Sequence, residues 1–463
     1  MIEIAVGFQR FAEDDWRRVV GAELPVFRSE DGIAVGALYG PGTGAVMARD
    51  NDGRAWNIVA TVAAAAVSDA AEQIRAEVDG GATGIELLFA SSPSARGRGL
   101  PSATIDWKKL FAGISLGELS LRVDGGEETF ALAGGLLPFL KSAAPRELTF
   151  VFDPIALLAA RGWLAAPFAE IGAKAAGLAA ALAENGLSGH VLVADGRVWH
   201  NAGATEVEEL ASAIAAFAEY LRLLEADGIS AERAVGLIGI TLAADADQFM
   251  TIAKLRAMRL LHARLLEAAE LAPRPCSIHA ETSWRMQSRL DPHSNILRTT
   301  AAVAAAGMGG ADSVAALPFD AAIVTDDPFP RRVARNSQTI LIEEAGLARV
   351  ADPGAGSGAI EALTSALAEA AWERFRQIES EGGLLAAVLS ASVQRTVEAS
   401  RQNRIDRLRR NEIQIIGANA FPDPAAKVAP SGQVTRPNAK PAGTPALAAE
   451  ALGFVRLTES IET

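Results

Sequence analysis

The sequence of 463 residues contains one cysteine, two tyrosines and five histidines. Its single cysteine, Cys276, cannot form a disulfide within the chain and cannot build a cysteine-based zinc site. A small buried side chain is favoured over a reactive thiol at this position. The histidines do not pair with one another, or with the cysteine, at the spacing of metal ligands. We therefore predict no metal site.

Basic residues are also in deficit, and long uncharged apolar runs are missing. The sequence has 43 Lys and Arg against 56 Asp and Glu, a net charge of −13, so no basic stripe can neutralise phosphates and we predict no nucleic-acid partner. The apolar stretches are alanine-rich and interrupted by charge or glycine, which predicts no membrane association. The first residues lack the basic flank and apolar core of a secretory signal, and we predict a cytoplasmic protein.

Between residues 56 and 400, short apolar runs alternate with longer helical runs. The runs that resemble strands covered on both faces are GIELLFA (84–90), LSLRVD (119–124), ELTFVFD (147–153), GHVLVAD (189–195), AVGLIGITL (234–242), CSIHAET (276–282) and SVAALPF (313–319). Seven or eight such units predict a (β/α)8 TIM-type barrel. Periodicity alone leaves an open, doubly wound sheet as the alternative.

Three parts of the chain are predicted. Residues 1–55 are rich in glycine and turn residues and form an N-terminal arm. Residues 56–400 form the barrel with its terminal helices. Residues 401–463 form a linker-like, extended C-terminal tail, because proline, glycine and small residues become frequent there.

The helical run ADQFMTIAKLRAMRLLHARLLEAAEL places Phe249, Ile252, Ala253 and Leu260 at helical spacing. This spacing predicts one apolar face toward the core. The remaining faces carry three basic residues and a histidine that are predicted to be solvated: Lys254, Arg256, Arg259 and His262.

The densest group of polar side chains is HAETSWRMQSRLDPHSNILRTT (279–300), which leaves a strand, crosses a loop and enters a helix. In a barrel, this order places polar residues at the carboxyl ends of the strands, where active sites lie. The residues concerned are His279, Thr282, Ser283, Arg285 and Arg289. His279 could act as a general acid or base, or it could be a satisfied structural histidine. The loop could equally be polar because it is exposed.

The same segment resembles the T-S-x-W … D-P-x-x-N-x-x-R-T region of the methylmalonyl-CoA mutase superfamily. The resemblance is close over residues 190–422 and loose over 30–190. Its TSW-R form is similar to the small-subunit branch, whereas the catalytic branch usually reads TSG-W. Further similar segments are NAGATEVEEL (201–210), FMTIAKLRAMRLL (249–261), FPRRVARNSQTILIEEAGLARVADPGAGSGAIEALT (329–364), WERFRQIESEGG (372–383) and, weakly, IIGANAFP (415–422).

The resemblance implies a barrel that threads the pantetheine of CoA along its axis. It also implies a flavodoxin-like domain that supplies a cobalamin ligand through D-x-H-x-x-G, a motif that this sequence lacks. Adenosylcobalamin is therefore expected to be bound mainly by a partner, the large (alpha) mutase subunit, and not by this chain alone.

Positions that contact substrate or cofactor in the catalytic branch carry different residues here. Alignment on AGAT and on AKLRA places Val198, Asn201, Leu237, Gly239 and Leu290 at these positions. Aliphatic and small residues are expected to fill the axis instead of leaving a tunnel. Only Glu344 matches a family position, near the adenosyl group.

These departures predict a non-catalytic small subunit of a heterodimeric methylmalonyl-CoA mutase, with no catalytic residue of its own. The alternative is an active acyl-CoA mutase barrel that works with a separately encoded cobalamin-binding chain. In that case His200 and His279 are the candidate catalytic residues.

Overall fold

The computed structural model describes residues 13–20, 26–47, 49, 53–102, 105–323, 327–423, 428 and 444–462. The strands are β1 (Phe27–Arg28), β2 (Ala34–Val35), β3 (Asn57–Val62), β4 (Gly84–Leu88), β5 (Ser120–Asp124), β6 (Glu147–Phe150), β7 (Trp163–Leu164), β8 (Gly189–His190), β9 (Leu192–Asp195), β10 (Ile238–Ala244), β11 (Ile278–Thr282), β12 (Ser313–Ala315) and β13 (Leu447–Ala448).

The helices lie between and after these strands. They are α1 (Glu13–Val20), α2 (Val67–Asp79), α3 (Trp107–Leu110), α4 (Thr129–Leu140), α5 (Pro154–Arg161), α6 (Phe168–Glu184), α7 (Gly196–Ala202), α8 (Glu206–Ala226), α9 (Ala231–Val235), α10 (Gln248–Ala268), α11 (Ser294–Met308), α12 (Pro328–Thr339), α13 (Gly358–Ser380), α14 (Leu384–Leu389) and α15 (Ser392–Arg409). None of these helices is both long and apolar enough to cross a bilayer.

Parallel strands form a ring in the order β8-β6-β5-β4-β3-β12-β11-β10-β9. The first and last strands of this order are two halves of one segment, separated only by Val191. One half pairs with β6 and the other with β10. The ring therefore closes, with eight strand positions, and the predicted (β/α)8 barrel is confirmed.

Acidic and hydroxyl side chains cap the helices that start at the carboxyl end of the ring. Asp153 Oδ1 accepts a hydrogen bond from Ala156 N at 2.7 Å at the start of α5. Asp195 caps α7 in the same way. Thr205 and Glu208 form a capping box at the start of α8. These caps satisfy the first N–H groups of each helix and orient its start at the barrel mouth.

Helix α10 is buried on more sides than its pattern predicts. It packs between α8, α11 and α13, so Lys254 and Arg256 are 0% and 1% exposed, whereas Phe249 is 53% exposed. His262 is 2% exposed and packs edge-on against Phe217 at 5.2 Å. The prediction that these basic residues and His262 are solvated was wrong, because a second layer of helices covers that face.

Two antiparallel pairs lie outside the ring. The β1–β2 hairpin is fastened through Glu30, which pairs with Arg404 of α15. In the second pair, β13 from the C-terminal part of the chain pairs with β7. Of the predicted arm, residues 1–12, 21–25, 48 and 50–52 lie outside the described residues. Of the predicted tail, residues 424–427, 429–443 and 463 do so as well.

Candidate functional site

Charged side chains occupy the axis of the barrel. The register of the ring places Glu86, Arg122, Thr149 and His190 side by side on four consecutive strands. The Arg122 side chain crosses the interior, where its Nη2 donates a hydrogen bond to Thr241 Oγ1 at 3.1 Å. All but His190 are buried, so the axis is polar and enclosed.

Arg197 is the hub of this axial group. It is the second residue of α7 and is 1% exposed. Its guanidinium lies 2.7 Å from Asp195, 2.9 Å from Glu281 and 3.4 Å from Asp124. It also approaches Glu86 at 3.7 Å. A guanidinium suits this position, because its five N–H donors are held in a rigid fork and stay charged.

The charges of the axis balance if one carboxyl holds a proton. Arg96, Arg122 and Arg197 face the four carboxyl groups of Glu86, Asp124, Asp195 and Glu281. Burial raises the pKa of Glu86, and the two nearest arginines only partly oppose this effect. Burial likewise raises the pKa of Asp124 to about 7, against the pull of Arg197. A proton on either of these two groups leaves three positive and three negative charges.

His279 is a buried member of the axis. Its Nδ1 hydrogen-bonds with Ser313 Oγ at 2.7 Å, and its Nε2 lies 3.8 Å from Glu86. Burial, followed by the charges of Arg122 and Arg197, lowers its pKa well below the usual value. The ring is therefore neutral at physiological pH and cannot serve as a proton donor in the form of an imidazolium ion. Its contacts support the structural interpretation.

His200 belongs to a second buried group, on the outer side of the ring. Its Nδ1 lies 3.1 Å from Glu209 Oε2, and its Nε2 lies 2.8 Å from Ser283 Oγ. The same Glu209 oxygen accepts a hydrogen bond from Lys254 Nζ at 2.6 Å. Burial would raise the pKa of Glu209, but Lys254 and His200 outweigh it and bring the pKa to about 2.

Serine, histidine and glutamate in this order resemble a nucleophile, its base and an orienting acid. One contact of His200 and the burial of Ser283 argue against that chemistry. His200 Nε2 also lies 3.2 Å from Asp245 Oδ2, so the nitrogen that would have to take the serine proton is shared with a carboxylate. Ser283 is 1% exposed, which leaves no approach for a substrate. This group stabilises the junction of β10, β11, α7 and α8.

A small cavity lies at the mouth, beneath the loops that follow β4, β5 and β6. The space open to the centres of water molecules is about 20 Å³, enough for one or two waters. A pantetheine arm or a corrin ring does not fit a space of this size. Its lining includes Ser92, Ser94, Asp124, Asp153, Asp195 and Val198.

The residues at the aligned substrate positions are dispersed. Val198 lines the cavity just described, and Leu290 is half-buried in the loop after β11. Gly239 faces the interior, where an added Cβ would lie 3.2 Å from His190. Leu237 is half-buried below β10 and its carbonyl accepts a hydrogen bond from Val191 N at 2.8 Å. Charged side chains fill the axis of the barrel. The expectation that aliphatic and small residues fill it was therefore wrong.

Most of the other predicted site residues lie near the mouth of the barrel, whereas Glu344 lies toward its opposite end. Asn201, Thr282, Ser283 and Arg285 are buried near the mouth, and Arg285 joins the group around His200 by donating to Ala204 O at 2.6 Å. Arg289 is close by, 3.5 Å from Glu462. Glu344 is exposed in the turn that follows α12. This helix runs back from the mouth, so the structure does not bring Glu344 together with the mouth residues.

The axial arginines and carboxylates were not anticipated from the sequence. A signal was present, since Glu86 and Arg122 interrupt the apolar runs GIELLFA and LSLRVD in the middle of strands. Charged residues inside strands that are covered on both faces need buried partners. Within the described part of the chain, no three His, Cys, Asp or Glu side chains are arranged to hold a metal ion.

The methylmalonyl-CoA mutase family profile matches residues 39–440. The methylmalonyl-CoA mutase small subunit of Streptomyces virginiae is 36% identical over 395 residues, which are 84% of this chain and 62% of that protein. The probable methylmalonyl-CoA mutase small subunit of Mycobacterium bovis is 42% identical over 263 residues, 56% of this chain and 42% of the relative.

A methylmalonyl-CoA mutase of Cereibacter sphaeroides is 38% identical over 225 residues, which are 48% of this chain and 32% of the relative. This chain thus spans less than two thirds of the length of each of these three relatives. With the family profile matching 39–440 and the barrel closed over the same residues, the chain belongs to the methylmalonyl-CoA mutase family.

Proposed function

We propose that this chain is a non-catalytic small subunit of a cytoplasmic, heterodimeric methylmalonyl-CoA mutase. In this proposal the complex interconverts methylmalonyl-CoA and succinyl-CoA with adenosylcobalamin. The large catalytic subunit binds the cofactor, and this chain supports the fold of that subunit. The names of the relatives motivate the assignment, since several are small subunits.

The observation that carries the proposal is the occupied axis. Arg197 and its carboxylates lie where a substrate would have to thread through the barrel. Removing one partner from such a buried ionic group leaves the remaining charges buried and uncompensated. This costs roughly 3–5 kcal/mol. An acyl-CoA cannot displace the group without that cost. The axis is thus a packed core and not a binding tunnel.

The size of the mouth cavity also supports binding of the cofactor by the partner. The cavity at the mouth has space for one or two waters, which is too little for a corrin ring. His200 and His279 are both buried and hydrogen-bonded, so neither projects from the mouth toward a metal. No step of the reaction is assigned to this chain.

Co-expression with a matching large subunit tests the proposal. Native mass spectrometry is expected to give a 1:1 complex that carries one cobalamin, and the isolated chain is expected to bind neither cobalamin nor methylmalonyl-CoA. If the chain stays apart from the large subunit, the subunit assignment fails. Binding of acyl-CoA to the isolated chain would favour the alternative of an active barrel that works with a separate cobalamin-binding chain.

A second experiment separates support from catalysis. His279→Gln and His200→Gln are introduced into this chain, and assembly is checked by native mass spectrometry. For complexes that assemble fully, turnover is expected to remain within about twofold of the wild type. A loss of two orders of magnitude in an intact complex, about 2.7 kcal/mol in the barrier, would show that this barrel takes part in the chemistry.

A further inference from the structure

The described residues near the C-terminus cross the mouth of the barrel. Three backbone amides of this segment donate to barrel loops and helices: Leu452 N to Ala159 O at 2.7 Å, Val455 N to Asn201 O at 2.9 Å, and Leu457 N to Arg285 O at 2.9 Å. These acceptors belong to α5, α7 and the loop after β11. The segment 449–462 therefore contacts two helices and a loop that follow three different positions of the ring, and we name it the strap.

Arg456 fastens the strap to the β11 loop. It is 5% exposed, and its guanidinium pairs with both oxygens of Glu462 at 2.6 and 2.7 Å. The same group reaches Gln287 O at 3.4 Å. Glu462 in turn accepts a hydrogen bond from Arg289 N at 2.9 Å. Bidentate pairing of this kind fixes geometry as well as adding energy.

Trp284 joins the strap to the far side of the mouth. It is 4% exposed. The Arg456 guanidinium lies 5.8 Å from its ring centre, and the Arg96 guanidinium lies 4.6 Å from it. Arg96 comes from the loop after β4, three places away from β11 in the ring, and approaches Glu281 of the axis at 4.0 Å. The indole thus bridges two loops above the axis.

The backbone conformation of Arg96 is a second indication that the loop after β4 is held in place. Arg96 adopts a φ of +50°, in the left-handed region that bulky residues rarely enter. Such strain persists only where surrounding contacts hold it. Arg96 ends the 3-10 turn Pro93–Ala95, where its amide donates to Pro93 O. Its side chain is held by the ring of Trp284 and the carboxylate of Glu281. In addition, Phe454 of the strap packs against the cluster of Trp284, Leu317 and Ala322, which links the segment after β12 to the strap.

We propose that Arg96, Trp284 and Arg456 form a latch that holds the strap across the barrel mouth. The strap opens as a unit when the latch is broken, while the barrel below stays folded. The proposal rests on the proposed function only in treating the mouth as closed to ligands. The contacts and the opening test stand even if the chain proves catalytic.

Hydrogen exchange of the full chain measures the opening directly. Arg456→Ala is expected to raise exchange at least tenfold in peptides that cover residues 449–462 and 283–290, with β10 unchanged. Arg410→Ala is the matched control, since its partner Glu412 and its own side chain are exposed. The latch is refuted if the strap keeps its protection in Arg456→Ala. It is also refuted if strap and β10 lose protection together, because the strap is then part of the global core.

Trp284→Leu gives a second variant that removes the bridging ring of the latch. It is expected to raise exchange at least tenfold in the same peptides, with β10 unchanged. Equal exchange in the wild type and in Trp284→Leu would overturn the proposal. Failure to assemble with the large subunit would leave these exchange rates unaffected and would count against the proposed function alone.

Discussion

Lys254 Nζ and Glu209 Oε2 lie 2.6 Å apart, and neither side chain is exposed to solvent. Removal of one partner leaves the other as a buried, uncompensated charge. We expect Lys254→Met to lower the free energy of unfolding by about 3–5 kcal/mol. Urea denaturation followed by circular dichroism measures this loss.

The matched comparison is Arg376→Met. Arg376 pairs with Glu373 at 2.6 Å, but both side chains are more than half exposed. This pair is expected to contribute only about 0–1 kcal/mol. Equal losses in the two variants would mean that burial does not determine the strength of the Lys254 pair.

The second prediction concerns acid stability. Glu209 has its pKa lowered to about 2 from an ordinary value of 4.5. Its contribution is fully present above pH 4.5 and disappears as the pH falls toward 2, a difference of about 3 kcal/mol. We expect Glu209→Gln to be less stable than the wild type at pH 7, with a gap that narrows below pH 4.5. Thermal denaturation across this range tests it, and a gap that does not change with pH would contradict the assignment.

The third prediction concerns His262, which affects the stability of the chain at a higher pH than Glu209 does. Burial, with a smaller effect of Arg259, lowers its pKa to about 4 from 6.5. The unfolded chain then takes up the proton more readily, so stability is complete above pH 6.5 and declines as the pH falls toward 4, by up to about 3 kcal/mol. His262→Phe keeps the edge contact with Phe217 and is expected to flatten this slope. An unchanged slope would place the titrating group elsewhere, for example at His190.

The fourth prediction compares two glycines inside helices. A Cβ added at Gly307 of α11 would lie 2.5 Å from the ring of Trp56, whereas Gly177 of α6 has nothing within 4 Å of that position. Gly307→Ala is expected to destabilise the chain by about 1–3 kcal/mol through overpacking. Gly177→Ala should stabilise it by roughly 0.5–1 kcal/mol through helix propensity. Denaturation midpoints of the two variants should shift in opposite directions, and shifts of the same sign would contradict the close approach.

The fold could be predicted from the sequence because most barrel strands are apolar runs bounded by turns. Several boundaries moved and one barrel strand was missed. Ala234 and Val235 end a helix, so β10 starts at Ile238. Strand β3 was not recognised, because NIVATV follows directly on turn-rich sequence and is only partly buried. The local sequence pattern cannot show which apolar run pairs with a neighbouring strand on each of its sides in the barrel.

The site was less predictable, since its charges come together only in three dimensions. Arg197 and Glu281 are separated by 84 residues, yet their side chains lie 2.9 Å apart. Nothing in the local pattern around Arg197 distinguishes it from a surface residue. Lys254 was assigned to a solvated face for the same reason. The polarity of the β11 loop was visible in the sequence, but not that a distant segment covers it.

The closure of the ring at Val191 divides the barrel into two complementary halves. Residues up to the exposed turn at Gly186 carry β3 to β6, and residues beyond it carry β8 to β12. The free edges of the first half, β6 and β3, match the free edges of the second, β8 and β12. A chain cut at Gly186 would therefore yield two fragments that can complete their hydrogen bonding only with each other, which makes this barrel suited to reconstitution from split pieces.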